Sequence, residues 1–290
     1  LLSSIVARTF VGQIYKKKTM IRFSNCKINI GLQVINRRSD GFHNIQTVFY
    51  PVKFLSDAVE VIGTDSDTDQ YIMTGMNIDE PISGNLCHKA IQLLRRDYQF
   101  PSVELHLHKM VPMGAGLGGG SADATTTLML VNDFFNLKIG NEQLWSYASQ
   151  LGSDCAFFLH QLPQLGEGRG NELKMIDLDL SKKKLLIVKP DIHVSTAQAY
   201  RNIIPNPNRD SLEKIMSIPL EKWKDVVEND FETTIFKAYP EIARLKQQFY
   251  EAGAVYAQMS GSGAACFGIF ESAPSPLDIP DTWCSFEGEL

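Results

Sequence analysis

Between Pro112 and Ala122 the chain reads Pro112-Met113-Gly114-Ala115-Gly116-Leu117-Gly118-Gly119-Gly120-Ser121-Ala122, with five glycines in seven positions. Upstream, Val103, Leu105 and Leu107 alternate with Glu104, His106 and His108, a strand pattern. Downstream, Ala124, Leu128, Val131 and Phe135 recur at helical spacing, which predicts a helix with its amino end at Ser121. Backbone free of Cβ atoms can approach an anion closely and turn its N–H groups toward it. The helix that follows adds about half a positive charge beneath the same point. A strand, a glycine turn and a helix in this order make a phosphate cradle.

Other uses of such a loop fit less well. Gly114-x-Gly116-x-x-Gly119 also has the spacing of a dinucleotide fingerprint, which would make the chain an oxidoreductase. The acidic residue that fingerprint requires about 20 residues on should end a second strand, but here that region falls inside or just after the helix. No G-x-x-x-x-G-K-[ST] occurs, which argues against a P-loop, and neither H-R-D nor D-F-G occurs, which argues against a protein kinase. A turn kept only for packing is the plain structural alternative.

Around the loop, strands and helices interleave without a steady strand-helix-strand rhythm, which predicts an α+β fold. Ile28, Ile30, Leu32 and Val34 oppose Lys27, Asn29 and Gln33, so Arg22 to Ile35 reads as a half-buried strand. Asp40-Gly41 marks a turn, and Asn44 to Phe54 and Ala58 to Ile62 read as further strands. Asn85 is placed to cap a helix carrying Leu86, Ala90, Leu93 and Leu94. A helix over Asn141 to Leu151 stops at Gly152, and Asp154 follows ahead of an apolar run, Cys155 to Leu159, expected as a strand. Later expectations are a strand at Lys184 to Val188, helices near Lys222 to Thr233 and Pro240 to Ala252, and strands at Val255 to Met259 and Ala264 to Phe270.

Composition narrows the partners. The 290 residues carry a net charge of −5 with acids and bases mixed, and beyond residues 1 to 19 the one basic run is Lys182 to Lys184, so nucleic acid is not expected. Five scattered cysteines without a C-x-x-C pair argue against zinc and a disulfide framework and favour a reducing, cytoplasmic setting. No apolar stretch approaches the ~18 residues needed to span a bilayer, so no membrane partner is expected. Residues 1 to 19 lack acids and carry Arg8 and Lys16 to Lys18 ahead of Met20. They read as an upstream or disordered extension, with an amphipathic targeting segment as the alternative.

The run Pro112 to Ala122 resembles the central phosphate-binding motif of the GHMP small-molecule kinases. Asn25-Cys26-Lys27-Ile28-Asn29-Ile30 and Met259-Ser260-Gly261-Ser262-Gly263-Ala264 stand where that family places its other two motifs. Arg38 to His43, Leu151 to Asp154, and Lys189-Pro190 through Ser195-Thr196 resemble the members that act on a cytidine diphosphate-linked methylerythritol. The resemblance covers Ile21 to about Phe270.

It implies a two-lobed fold, with a ribosomal-protein-S5-like ATP-binding lobe over 20–179 and a ferredoxin-like substrate-side lobe over 180–290. ATP as co-substrate and Mg2+ are implied, in a monomer or homodimer. Asp154 would be the catalytic acidic group, with Lys27 as its partner or as a direct contact to the γ-phosphate. Asn85 would lie near the nucleotide along with Pro112 to Ala122. Asn29, Phe42, His43, Thr196, Tyr200, Gly261, Ser262 and Gly263 would line the substrate side, with Phe42 and Tyr200 flanking a cytosine. The family usually has tyrosine where Phe42 stands, so a stacking face remains without its hydroxyl. Mevalonate, homoserine or a sugar is the alternative acceptor within the family, and a nucleotide-binding regulator without catalysis is a further alternative.

Overall fold

The computed structural model describes residues 18–78, 80–201 and 203–290. The expectation for the amino-terminal extension lies outside the described residues up to position 17. Six strands build the first sheet: β1 (Thr19–Arg37), β2 (His43–Gly63), β3 (Gln70–Gly75), β4 (Val103–Lys109), β5 (Gln164–Glu167) and β6 (Glu172–Met175). Their order is β3-β4-β2-β5-β6, with β1 paired to β2, and only β3 and β4 run parallel. Helices α1 (Leu86–Arg95), α2 (Gly119–Phe135) and α3 (Asn141–Leu151) share a core with this sheet through Val61, Leu105, Leu128 and Tyr147.

The second sheet is antiparallel, in the order β10-β7-β9-β8, from β7 (Lys184–Lys189), β8 (Tyr256–Met259), β9 (Cys266–Phe270) and β10 (Cys284–Glu289). Short helices α4 (Thr196–Ala199), α5 (Leu212–Met216) and α6 (Trp223–Val226) precede α7 (Asp230–Ala238) and α8 (Pro240–Glu251). Trp223 is buried in the core that joins the two sheets, edge-on to Tyr256 at 5.6 Å. Its indole N–H donates to the Ile218 carbonyl at 3.1 Å. Trp223→Ala is expected to cost about 3–5 kcal/mol of stability, read as a lowered denaturation midpoint, because the cavity it leaves cannot collapse fully.

The β1–β2 hairpin turns where Asp40-Gly41 predicted. Gly41 takes a φ of +86°, and the Asp40 carboxylate accepts the Phe42 N–H at 3.1 Å. The structure corrects other local expectations. β1 is not half-buried, since Lys27, Asn29 and Gln33 are as enclosed as the apolar residues between them. The glycine turn covers its polar face, where Lys27 N–H donates to the Leu117 carbonyl at 3.0 Å. The two strands expected over 44–62 are one, β2, which absorbs a register shift opposite Asn25 and Cys26.

Helix α2 begins at Gly119, two residues before Ser121. Cys155–Leu159 forms a 3-10 turn instead of a strand, with Phe157 and Phe158 packed onto Phe49 and Ala122. The helix expected near 222–233 is broken into α6 and α7, because the intervening chain extends alongside β1, where Leu32 N–H donates to the Glu228 carbonyl at 2.9 Å. The final strand, β10, closes an edge that periodicity did not indicate. Among the described residues no helix is long and apolar enough to cross a membrane.

Candidate active site

The strand β4, the glycine turn and α2 wall one side of a cavity of about 1150 Å³. Three glycines of the turn, at 114, 116 and 118, have positive φ. Two of them are sterically required. A Cβ on Gly116 would lie 2.0 Å from the Ser260 carbonyl oxygen, and one on Gly118 would lie 2.9 Å from Lys27 Cε. The turn is therefore pressed between β1 and the loop that follows β8.

Those three segments meet at the Gly116 carbonyl. It accepts Lys27 Nζ at 2.9 Å and the Ser260 hydroxyl at 2.9 Å. Ser260 Oγ in turn accepts the Asn29 N–H at 3.1 Å. Lys27 Nζ also donates to Asn29 Oδ1 at 2.6 Å, while Asn29 Nδ2 donates to the Thr47 hydroxyl at 3.0 Å. This chain of bonds leaves the lysine little rotational freedom. Its ammonium sits 5.3 Å from the Phe49 ring centre and 3.3 Å from Asp154 Oδ2.

Asp154 stands at the start of the 3-10 turn but makes no capping bond, so it does not serve as a helix-end satisfier. Its side chain keeps a third of its surface open to the cavity, whereas Lys27 is enclosed. A carboxylate that is open on one side and held by an ammonium on the other is placed to accept a proton from a bound hydroxyl.

The far wall carries the aromatic residues. His43 stacks on Tyr200 with ring centres 4.9 Å apart and planes 16° from parallel, and Tyr200 meets Phe231 edge-on at 4.7 Å. Burial, with Arg37 nearby, holds the His43 imidazole below its ordinary range, so the ring is neutral near pH 7. Burial raises the Tyr200 hydroxyl, and the Asp154 charge raises it further. Phe42 is half exposed, with the Arg169 guanidinium 3.8 Å over its ring.

The GHMP kinases N terminal domain family matches residues 85–161, and the GHMP kinases C terminal family matches residues 204–287. The 4-diphosphocytidyl-2-C-methyl-D-erythritol kinase of Azobacteroides pseudotrichonymphae genomovar. CFP2 is 46% identical over 259 residues, covering 89% of this chain and 96% of the relative. The protein of the same name from Bacteroides fragilis is 43% identical over 275 residues, 93% of this chain and 100% of the relative. The chain belongs to the GHMP kinases.

A crystal structure of 4-(cytidine 5'-diphospho)-2C-methyl-D-erythritol kinase superposes on this GHMP kinase with a TM-score of 0.73 at 30% identity, covering 86% of this chain and 90% of the other. Mevalonate kinase of Methanococcus jannaschii superposes with a TM-score of 0.66 at 15% identity, over 87% and 91% of the two chains, and shares the fold. The two-lobed GHMP kinase fold follows, and with it ATP as co-substrate. The oxidoreductase alternative falls away, since α2 leads into α3 and among the described residues no second parallel strand follows it.

Most of the expected site residues of this GHMP kinase come together on one cavity. Lys27, Asn29, Phe42, His43, Asn85, Asp154, Thr196, Tyr200, Gly261 and Ser262 all reach it, as does the turn from Pro112 to Ser121 apart from Leu117. Leu117, Ala122 and Gly263 do not reach the wall. The first two turn their side chains into the core, and Gly263 backs onto Met259 Sδ. Asn85 caps α1, its Oδ1 accepting the Cys87 N–H at 2.9 Å. His106 and His108 pair with Glu104 and Thr74. Sequence reasoning missed Lys109, Asp123 and Arg169 on the same cavity, and Asn229 behind it. Asn229 Nδ2 donates to both the Met259 and Gly261 carbonyls at 2.8 Å, bracing the loop that carries Ser260.

Proposed function

We propose that this GHMP kinase transfers the γ-phosphoryl group of ATP to the 2-hydroxyl of 4-diphosphocytidyl-2-C-methyl-D-erythritol, in non-mevalonate isoprenoid precursor biosynthesis. The observation that carries the reading is the Lys27–Asp154 pair at 3.3 Å, with Lys27 also bonded to the glycine turn, in a chain whose relatives bear that kinase name. Phosphoryl transfer asks mainly for positioning and charge stabilisation. The turn and the amino end of α2 supply backbone N–H groups for the triphosphate, with Asn85 on the nucleotide side. The acceptor oxygen attacks the γ-phosphorus, the bond to the β–γ bridging oxygen breaks, ADP leaves, and the hydroxyl proton passes to Asp154. Lys27 offsets negative charge at the transferring group and holds the carboxylate in place.

Phe42 and Tyr200, both on the cavity, are the residues proposed to flank a cytosine, with His43 stacked on Tyr200. Asn29, Thr196, Gly261, Ser262 and Gly263 belong to the acceptor side of the same reading. The division at 179/180 separates the ATP-binding lobe from the substrate-side lobe, consistent with one sheet drawn from residues 19–175 and the other from 184–289. Among the described residues no three His, Cys, Asp or Glu side chains gather as a metal site. The partly open Asp154 carboxylate on the same cavity would suit Mg2+ held chiefly by the triphosphate, and the ion would supply neutralisation of phosphate charge there.

The test is ADP release measured with ATP and a panel of acceptors: the cytidine diphosphate-linked methylerythritol, mevalonate, homoserine and a hexose. Turnover is expected with the first alone, and with cytidine nucleotides as competitors against it. Equal rates across the panel, or a rate no higher than with ATP alone, would sink the assignment.

A further inference from the structure

Directly behind the glycine turn lies a charged cluster that the reaction scheme leaves unused. Lys109, the last residue of β4, is 2% exposed, and its ammonium is paired with the Asp57 carboxylate of β2 and, at 2.9 Å, with Asp123 of α2. Lys109 enters the turn and Asp123 leaves it, so this ion pair ties its two ends together. Asp57 secures the entering end a second time, since its Oδ1 accepts the Met110 N–H at 2.6 Å and the Val111 N–H at 2.8 Å. The Lys109 backbone is held as well, just past the end of β3, where Met76 N–H donates to its carbonyl at 2.9 Å. On the exit side, a Cβ added to Gly119 would lie 3.1 Å from Lys109 Nζ, so the ammonium touches the first turn of α2.

Three buried ionisable groups are costly to enclose unless every polar atom is satisfied. One is not: Asp123 Oδ1 is buried without a partner. Lys109 and Asp123 both line the cavity, so the cluster borders the space assigned to the nucleotide. We propose that Asp57, Lys109 and Asp123 form a clasp that sets the shape of the phosphate-binding turn, with Asp123 as a positioning residue whose charge tunes nucleotide affinity.

The sign follows from the charge count. With both carboxylates ionised the cluster carries one net negative charge beside an anion site and opposes the amino end of α2. With Asp123 protonated the cluster is neutral, and the helix end acts on the phosphates undiminished. Burial, with Asp57 adding to it, pushes the Asp123 carboxyl up to about 7, with Lys109 working against the shift. Lys109 stays charged, because Asp123 and Asp57 outweigh its burial. The other groups facing the cluster hold their protons through neutral pH: burial raises the Cys87 thiol of α1 and lifts that of Cys26 on β1 to about 12. Lys27 contributes its charge from the Cys26 side.

The proposal rests on the kinase reading, and its test uses ADP binding to the full chain, which needs no acceptor. ADP is titrated calorimetrically at pH 6 and pH 8 into the native protein, Asp123→Asn and Asp123→Leu. Asparagine keeps an acceptor for Lys109 without the charge, whereas leucine removes both. The native protein is expected to lose up to about tenfold in affinity between pH 6 and pH 8 relative to Asp123→Asn, the effect of a one-unit pKa shift on binding. Comparison with the asparagine variant cancels the titration of ADP itself. Asp123→Leu is expected to bind at least tenfold more weakly than Asp123→Asn at both values. Parallel pH profiles for the native protein and Asp123→Asn would refute the charge role, and leucine matching asparagine would refute the clasp. Absence of ADP binding by the native protein overturns the nucleotide reading and the clasp together, whereas ADP binding without acceptor turnover refutes only the substrate.

Discussion

Asp154→Asn is expected to lower turnover roughly 100- to 10,000-fold, the range a positioned proton acceptor contributes, while ADP affinity stays within about twofold of native. The split is the informative part. Asparagine has nearly the shape of aspartate and can still face Lys27 Nζ, so the bonds from that lysine to Asn29 and to the Gly116 carbonyl have no reason to shift. In the proposed arrangement the nucleotide is held by backbone N–H groups of a different segment. Single-turnover kinetics with the cytidine diphosphate-linked acceptor, set beside ADP titration, measure the two terms separately. A variant that kept near-native turnover would show that the acceptor hydroxyl loses its proton elsewhere.

Gly116→Ala carries the second large expectation. Its methyl group would sit 2.0 Å from the Ser260 carbonyl oxygen, at a φ of +77° that L-residues avoid. Backbone stands on both sides of the clash, so no side-chain rotation relieves it. The turn or the Ser260 loop must move, and either movement displaces the carbonyl that orients Lys27. A loss in kcat/KM of about 100-fold or more is expected, in line with what a 1 Å misplacement of reacting groups costs. Gly140→Ala is the matched control, since a methyl there meets nothing within 4 Å and no positive φ is involved. If both alanine variants worked equally well, tight packing of the turn against Ser260 would have no catalytic consequence.

How far the sequence discloses this site depends on how local each signal is. The glycine turn is legible because its chemistry is continuous along the chain, with a strand before it, a helix after it and no Cβ atoms between. Periodicity likewise finds β1 and β4, whose apolar faces alternate. It misjudges the opposite face of β1, because what covers Lys27 and Asn29 comes from residues 116, 117 and 260, and period-two counting carries no information on remote partners. Cys155–Leu159 is apolar enough for a strand yet packs as a single tight turn, with Phe157 and Phe158 set against Phe49 and Ala122.

Lys109 and Asp123 show the same limit more sharply. A lysine closing a strand and an aspartate near the start of a helix are each common surface features, and only the folded turn brings them to 2.9 Å out of water. Asp154 has little local signal either, and it became legible only together with Lys27 and the family pattern. Asn229 lies where a continuous helix was expected, and the break that frees its side chain to brace the Ser260 loop has no marker in apolar spacing.

The hydrogen bond from Asn29 to Ser260 joins positions 231 apart in the chain. On a ribosome the glycine turn and its helix emerge long before residue 260, so a growing polypeptide exposes them while Lys27 still lacks its brace. A chain ending before residue 260 is therefore expected to carry the glycine turn without the brace that orients Lys27.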